Sequence, residues 1–165
     1  KVVTRLSIDS WQDYAKRLPP IQKAWLKSAK SVGFRPSVAD STGTNLNGYK
    51  MIASIWSFNK ALKAKLDSQN IGLLVPTSAG GMIANMAILS LGKTIVNLSY
   101  SASLPSLHHA LEVANISQIV TSKQFITKLK AKGFDLSEIL QKVDVIYLED
   151  IKEQLKRYQN YDITL

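Results

Sequence analysis

Residues 70–100, NIGLLVPTSAGGMIANMAILSLGKTIVNLSY, read as strand, helix, strand. Residues 71–75 form a short apolar run closed by Pro76, the pattern of a strand covered on both faces of a parallel sheet. Gly80 and Gly81 loosen the chain before residues 82–91, which are apolar almost all the way round and predict a buried helix. Gly92 supplies its stop, because glycine enters the left-handed region without a Cβ clash. Residues 94–98 return to β character, so the stretch predicts a parallel crossover unit, the building block of α/β sheets.

Downstream the alternation continues. Residues 104–114 read as a helix capped by Ser103 and ended near Asn115, residues 118–121 as a strand, and residues 123–132 as a helix stopped by Gly133. Residues 136–141 predict a short helical piece, 144–148 a strand, and 150–158 a final helix with its charges on one side. Strands separated by helices at this spacing argue for a layered α/β fold with a parallel sheet.

Upstream, residues 48–66 predict a long helix whose stripe Ile52, Ile55, Trp56, Leu62 and Leu66 is expected in the core. Residues 37–40 and 44–46 flank the turn residues Ser41, Thr42 and Gly43, which predicts a small hairpin. Ser10 is expected to cap a first helix carrying Asp13 at the capping-box spacing, and Pro19 and Pro20 must end that helix near Leu18. Residues 21–32 predict a second helix with Ile21, Ala24, Trp25, Ala29 and Val32 on one face and Lys23, Lys27 and Lys30 on the other. A basic amphipathic helix with a Trp suits a membrane interface. The same stripe also suits packing on the protein's own core.

At 165 residues, 45% apolar and 20% charged, the chain has the composition of one globular domain or part of one. The absence of cysteine excludes disulfides and thiolate metal sites. The chain starts at Lys1 with no signal-peptide pattern, which raises the expectation that it is a section of something longer. Its longest apolar stretch, residues 82–91, is far shorter than the roughly 20 residues of a membrane span. Residues 1–66 carry 12 Lys and Arg against 3 Asp and Glu, a balance of +9, whereas residues 67–165 carry 9 and 9. Charge of that asymmetry suits an anionic surface near the N-terminal end, or a solvated basic flank. Trp11, Trp25 and Phe34 lie among these cations, but no RNA-recognition, KH, zinc-finger or helix-turn-helix signature accompanies them, so nucleic acid is set aside as a partner.

Asp40 followed by Leu46 and Tyr49 at the head of a long helix resembles the first core motif of the AMP-forming adenylating (acyl-CoA synthetase-like) superfamily. Residues 91–98, LGKTIVNL, resemble the second. Within that superfamily, four segments resemble the bifunctional acyl-acyl carrier protein synthetase/2-acylglycerophosphoethanolamine acyltransferase family: GLLVP (72–76), VNLSYSA (96–102), IVTSKQF (119–125) and VIYLEDIK (145–152). The resemblance runs from about Phe34 to the C-terminus. It implies a three-layer α/β fold with a parallel sheet, the N-terminal section of an adenylating-enzyme large subdomain, preceded by amphipathic helices. Residues 34–165 would be the N-terminal part of the AMP-binding domain. Residues 1–33 would be a basic helical linker following an acyltransferase domain.

For the parent protein the resemblance implies ATP and Mg²⁺, an acyl-adenylate, transfer to acyl carrier protein, and re-acylation of lysophospholipid at the cytoplasmic face of the inner membrane. Adenylation needs a Ser/Thr/Gly-rich loop with a Lys around the triphosphate. It also needs an acidic residue for Mg²⁺ and a carboxylate for the ribose. None of these is recognisable here. Ser41-Thr42-Gly43-Thr44 has no following Lys before Lys50, and its residues suit a hairpin turn. Residues 76–81 are better placed for anion contact, before a helix N-terminus, but match neither GxGxxG nor GxxxxGK[ST].

Acyltransferases of that kind use an HxxxxD motif, and Val113 and Ala114 stand where His108 and His109 would need Asp. There is neither a metal-ligand spacing nor a G-x-S-x-G elbow. Glu149 and Asp150 read as favourable charges at a helix N-terminus. The chain alone is therefore expected to be catalytically silent, with no catalytic, cofactor or metal residue assigned. Lys23, Trp25, Lys27 and Lys30 are the candidates for docking on a membrane or on acyl carrier protein. The alternative is a free-standing interaction module that uses the same basic helices.

Overall fold

A computed structural model of the chain describes the backbone of residues 2–161 and the side chains of residues 7–156. Two helices come first, α1 (Val2–Arg17) and α2 (Ile21–Val32), then a hairpin of β1 (Pro36–Ala39) and β2 (Asn45–Asn47). The layered part follows: α3 (Gly48–Lys63), β3 (Asn70–Leu74), α4 (Ala79–Ser90), β4 (Thr94–Asn97), α5 (Leu104–Val113), β5 (Gln118–Thr121), α6 (Lys123–Ala131), α7 (Ser137–Leu140), β6 (Asp144–Tyr147) and α8 (Leu148–Tyr161).

The four later strands form one parallel sheet in the order β4-β3-β5-β6. Side chains alternate across it, as a period of two requires. Ile71, Leu73, Val120 and Ile146 point to the face covered by α3, α4 and α8, where Met51, Leu62, Ile88 and Ile151 bury fully. Leu74 and Ile119 point to the other face, covered by α5, α6 and α7 through Leu107, Leu111, Leu129 and Ile139. The chain first steps from β3 out to β4, then returns past β3 to β5. With a constant crossover hand, that reversal requires α4 on one face and α5 to α7 on the other.

Local signals act where they stand. Ser78, Ser103 and Ser122 each cap a helix by accepting from a backbone N–H three residues on. Gly92 ends α4 at φ 75°. Two expectations are corrected. Ser10 is not a cap, because α1 runs unbroken from Val2; neither proline nor glycine interrupts residues 2–17, and a serine costs only tenths of a kcal/mol within a helix. Asp13 pairs instead with Lys16 at 3.2 Å. Trp56 is not core but 74% exposed. The buried stripe of α3 is Gly48, Met51, Ile55, Phe58, Ala61 and Leu62, and Trp56 stands one residue, about 100°, past Ile55. No helix among the described residues is long and apolar enough to cross a membrane.

Candidate functional site

In open α/β sheets ligands bind outside the carboxyl ends of the strands where the strand order reverses. Here that point lies between β3 and β5, and a cleft of about 480 Å³ opens there. Its walls come from four places: the hairpin turn at Asp40 to Thr44, the β3 to α4 turn at Pro76 and Ser78, the start of α6 at Ser122 and Gln124, and α8 at Glu149 and Lys152.

Two helix N-termini converge on this cleft, and the chain supplies an anion to each. Asp40 Oδ2 accepts the Ala79 N–H at 2.9 Å, at the first turn of α4. Its Oδ1 accepts the Thr42 hydroxyl at 2.6 Å and the Thr42 N–H at 2.9 Å. The Thr42 hydroxyl first, and then the Ala79 N–H, lower the Asp40 pKa to about 2 against the opposing effect of desolvation, with the Thr42 and Thr44 N–H groups adding to the lowering. Glu149 serves α6 in the same way. Its carboxylate accepts the Ser122 hydroxyl at 2.7 Å, the Lys123 N–H at 3.0 Å and the Gln124 N–H at 3.3 Å. Burial pushes the Glu149 carboxyl up, but these hydrogen bonds outweigh it and hold it below the ordinary range. Asp150 beside it pairs with Lys123, which in turn lies 5.3 Å from the centre of the Tyr147 ring.

The turn at residues 76–81 thus does present a helix N-terminus to an anion, but the anion is the chain's own Asp40. Glu149 and Asp150 do stand in the first turn of α8, as a dipole argument expects. Their contacts are made with α6, which sequence reading missed. Residues that must carry a nucleoside triphosphate therefore do not fit it here: both helix N-termini already hold carboxylates, and a polyphosphate would meet Asp40 and Glu149. The Thr42 and Ser78 hydroxyls that also line the cleft are engaged with Asp40 and with the first turn of α4, and Thr44, Lys128, Lys152, Glu153 and Lys156 complete the lining. None of these three lysines has an ion pair among the described residues. Such a cleft can orient a polar group; its two hydroxyl–carboxylate pairs, Thr42 with Asp40 and Ser122 with Glu149, are engaged at the helix N-termini.

His108 lies elsewhere. Its Nε2 is 3.0 Å from Glu138 Oε1, which also accepts from Lys142 at 3.2 Å, and His109 is exposed. Lys142 first, then His108, lowers the Glu138 pKa. No group of three or more His, Asp or Glu suited to a metal ion occurs among the described residues.

Lys23, Lys27 and Lys30 all lie exposed on the outer face of α2, with no ion pair among the described residues. Trp25 does not join them. It is half-buried against the core on the α3 side, with Ala29 buried beside it. Ile21 and Ala24, expected on that packed face, are exposed, and Gln22 is half-buried in their place.

Asp40→Asn puts an amide where a carboxylate accepts four hydrogen bonds. Because the folded-state pKa is depressed, Asp40 contributes stability above the ordinary carboxylate range that is lost as pH falls toward about 2. Asp40→Asn is expected to melt lower at pH 7, with the gap from wild type closing across that acid window in parallel thermal scans. A gap independent of pH would show that the carboxylate charge contributes nothing.

No protein-family profile matches the sequence. Solved structures do match. O-succinylbenzoate coenzyme A synthetase from Bacillus subtilis, in complex with ATP and magnesium ion, superposes with a TM-score of 0.63 at 18% identity, over 77% of this chain and 33% of that one. The same enzyme with the acyl-adenylate OSB-AMP gives 0.62 at 17%, over 78% and 32%. The N-terminal subdomain of Klebsiella oxytoca NpsA, in complex with 3-hydroxyanthranilyl-AMSN, gives 0.64 at 10%, over 81% and 31%. The shared property is the fold, that of a partial adenylating-enzyme subdomain. The chain spans about a third of the length of these structures.

Proposed function

We propose that this chain is the N-terminal section of the AMP-binding domain of an ATP-dependent acyl-activating enzyme. The observation that carries the reading is the parallel sheet and its flanking helices, superposable on about a third of a synthetase that takes ATP and magnesium ion. The occupied helix N-termini at the cleft support the second half of the proposal. Triphosphate and Mg²⁺ are held by parts of the enzyme outside these residues, and this section by itself does not turn over.

The finer identity rests on the sequence segments TSKQF (121–125) and YLEDIK (147–152). They support an acyl-acyl carrier protein synthetase acting with a lysophospholipid acyltransferase in phospholipid re-acylation at the inner membrane, with residues 1–33 as the helical segment ahead of the AMP-binding domain. Acyl carrier protein and lysophospholipid are then its partners. In the structure, YLEDIK serves packing at the cleft: Glu149 caps α6, and Lys152 lies at the cleft wall.

The test has two arms. Antibody against this segment, used on fractionated source cells, is expected to detect a species much larger than 18.3 kDa. That species, immunocaptured, is expected to release pyrophosphate from ATP only with Mg²⁺ and fatty acid, while the purified chain releases none. Turnover by the purified chain, or a native band at the size of this chain, would overturn the proposal in favour of an interaction module.

A further inference from the structure

Ile8, Trp11 and Tyr14 on α1, with Leu18 just past its end, recur at steps of three and four residues and so share one stripe. They are 51 to 69% exposed, so this chain leaves the stripe uncovered. Within the stripe's own span, residues 8–18, Asp9 and Asp13 balance Lys16 and Arg17; the one-sided charge lies toward and beyond its C-terminal end, where residues 14–39 contain six Lys and Arg and no Asp or Glu. Among those six, Arg17, Lys23, Lys27 and Lys30 are exposed and have no ion pair among the described residues. An uncovered aromatic stripe followed directly in sequence by uncompensated cations is the chemistry of an interfacial helix on an anionic surface.

We propose that α1 docks in the headgroup layer of an anionic lipid bilayer. Trp11 and Tyr14 sit at the interface, where a ring with a polar tip is favoured, and Ile8 and Leu18 turn toward the acyl chains. Arg17, Lys23, Lys27 and Lys30 meet the lipid phosphates. The anchor is therefore not Trp25, whose ring is committed to the core. A second copy of the chain is a poorer occupant, because each copy would add six cations over residues 14–39 with no carboxylate among them to offset those of its partner. The inference stands on α1 and α2 alone, independently of the adenylating reading.

The experiment is flotation of the full chain with vesicles of phosphatidylcholine, with and without phosphatidylglycerol. Binding is expected only to the anionic vesicles and to weaken as salt rises. The triple variant Lys23→Gln, Lys27→Gln, Lys30→Gln is expected to bind about 100-fold more weakly, as three cations at such a surface imply. Tryptophan emission is expected to shift to the blue on binding, and Trp11→Phe to lose most of that shift while still binding. All four side chains are exposed, so the circular dichroism and melting of the variants should match wild type. Equal binding to neutral vesicles, or a shift that survives Trp11→Phe, would overturn the proposal. So would retention by an acidic acyl carrier protein without vesicle binding, or a dimer abolished by Trp11→Ser.

Discussion

Gln118→Glu is expected to destabilise the protein by about 3–5 kcal/mol at neutral pH, the cost of an uncompensated charge in a buried site. Gln118 is 5% exposed at the start of β5 and uses both ends of its amide. Its Oε1 accepts the Asp67 and Ser68 N–H groups, both at 2.9 Å. Its Nε2 donates to the Lys65 carbonyl at 3.0 Å and to Asp144 Oδ2 at 2.9 Å. The substitution keeps the acceptor but turns the donor into a second oxygen facing a carbonyl and a carboxylate. Proton uptake restores a donor there, so the folded-state pKa of the introduced carboxyl must lie above its unfolded value. A raised pKa makes the deficit smallest below the carboxylate range and largest as pH rises through the folded-state value. Urea denaturation of variant and wild type at pH 7 and at about pH 4 measures this difference. Gln118→Leu separates the causes: it removes all four hydrogen bonds, leaving two N–H groups and the Lys65 carbonyl without this partner and adding no charge, and is expected to cost about 2–3 kcal/mol with little pH dependence. An equal loss for Gln118→Glu at both pH values would refute the electrostatic account.

Gly48→Ala is the second large effect. Gly48 opens α3 directly beneath the C-terminal turn of α2, and an added Cβ would fall inside the van der Waals radius of the Ala29 carbonyl oxygen and 3.0 Å from both Gly33 N and Gly33 O. These are backbone atoms tied by the Gly33 N–H to Ala29 and the Tyr49 N–H to the Gly33 carbonyl, so no rotamer change relieves the clash. The two helices must separate, which uncovers Ala29 and Trp25. A cost of about 3 kcal/mol, the upper end for overpacking, is expected in chemical denaturation. Gly80→Ala is the control. Its Cβ meets nothing closer than the Ser78 hydroxyl at 3.9 Å, and alanine is favoured over glycine in a helix, so no loss is expected. A Gly48→Ala protein as stable as wild type would mean that α2 does not pack as closely as described.

The α/β layering was legible because each of its signals is local. An apolar run five residues long, a serine one position before a helix, or a glycine one position after it acts through the chain's nearest neighbours. The strands from β3 onward and the caps at Ser103, Gly92 and Gly133 are accordingly where the pattern puts them. Trp56 was misread because a stripe of helix apolars does not say which of two adjacent residues faces the core; the turn of α3 against α4 decides it. Ser10 was misread because a capping pattern is weak against an uninterrupted helical run.

Of the candidate cleft only the turn at residues 76–81 was legible, as a helix N-terminus open to an anion; the rest was not, for a different reason. Asp40 and Ala79 are 39 positions apart, Glu149 and Ser122 are 27, and Gln118 and Lys65 are 53. A carboxylate beside threonines reads as an ordinary turn, and one at the start of a helix reads as that helix's own charge. Which N–H it accepts depends on how sheet and helices bring distant turns together. The sequence by itself determined the element order, the parallel α/β class and the location of all excess positive charge before residue 67, because hydrophobic period, turn chemistry and charge are properties of short stretches. Only the tertiary structure decided that α4 and α6 aim at one cleft, that the chain's own carboxylates occupy both N-termini, and that Trp25 is packed while Trp11 is bare. Those outcomes follow from which desolvated groups meet across the sheet, and no short stretch of residues contains both partners.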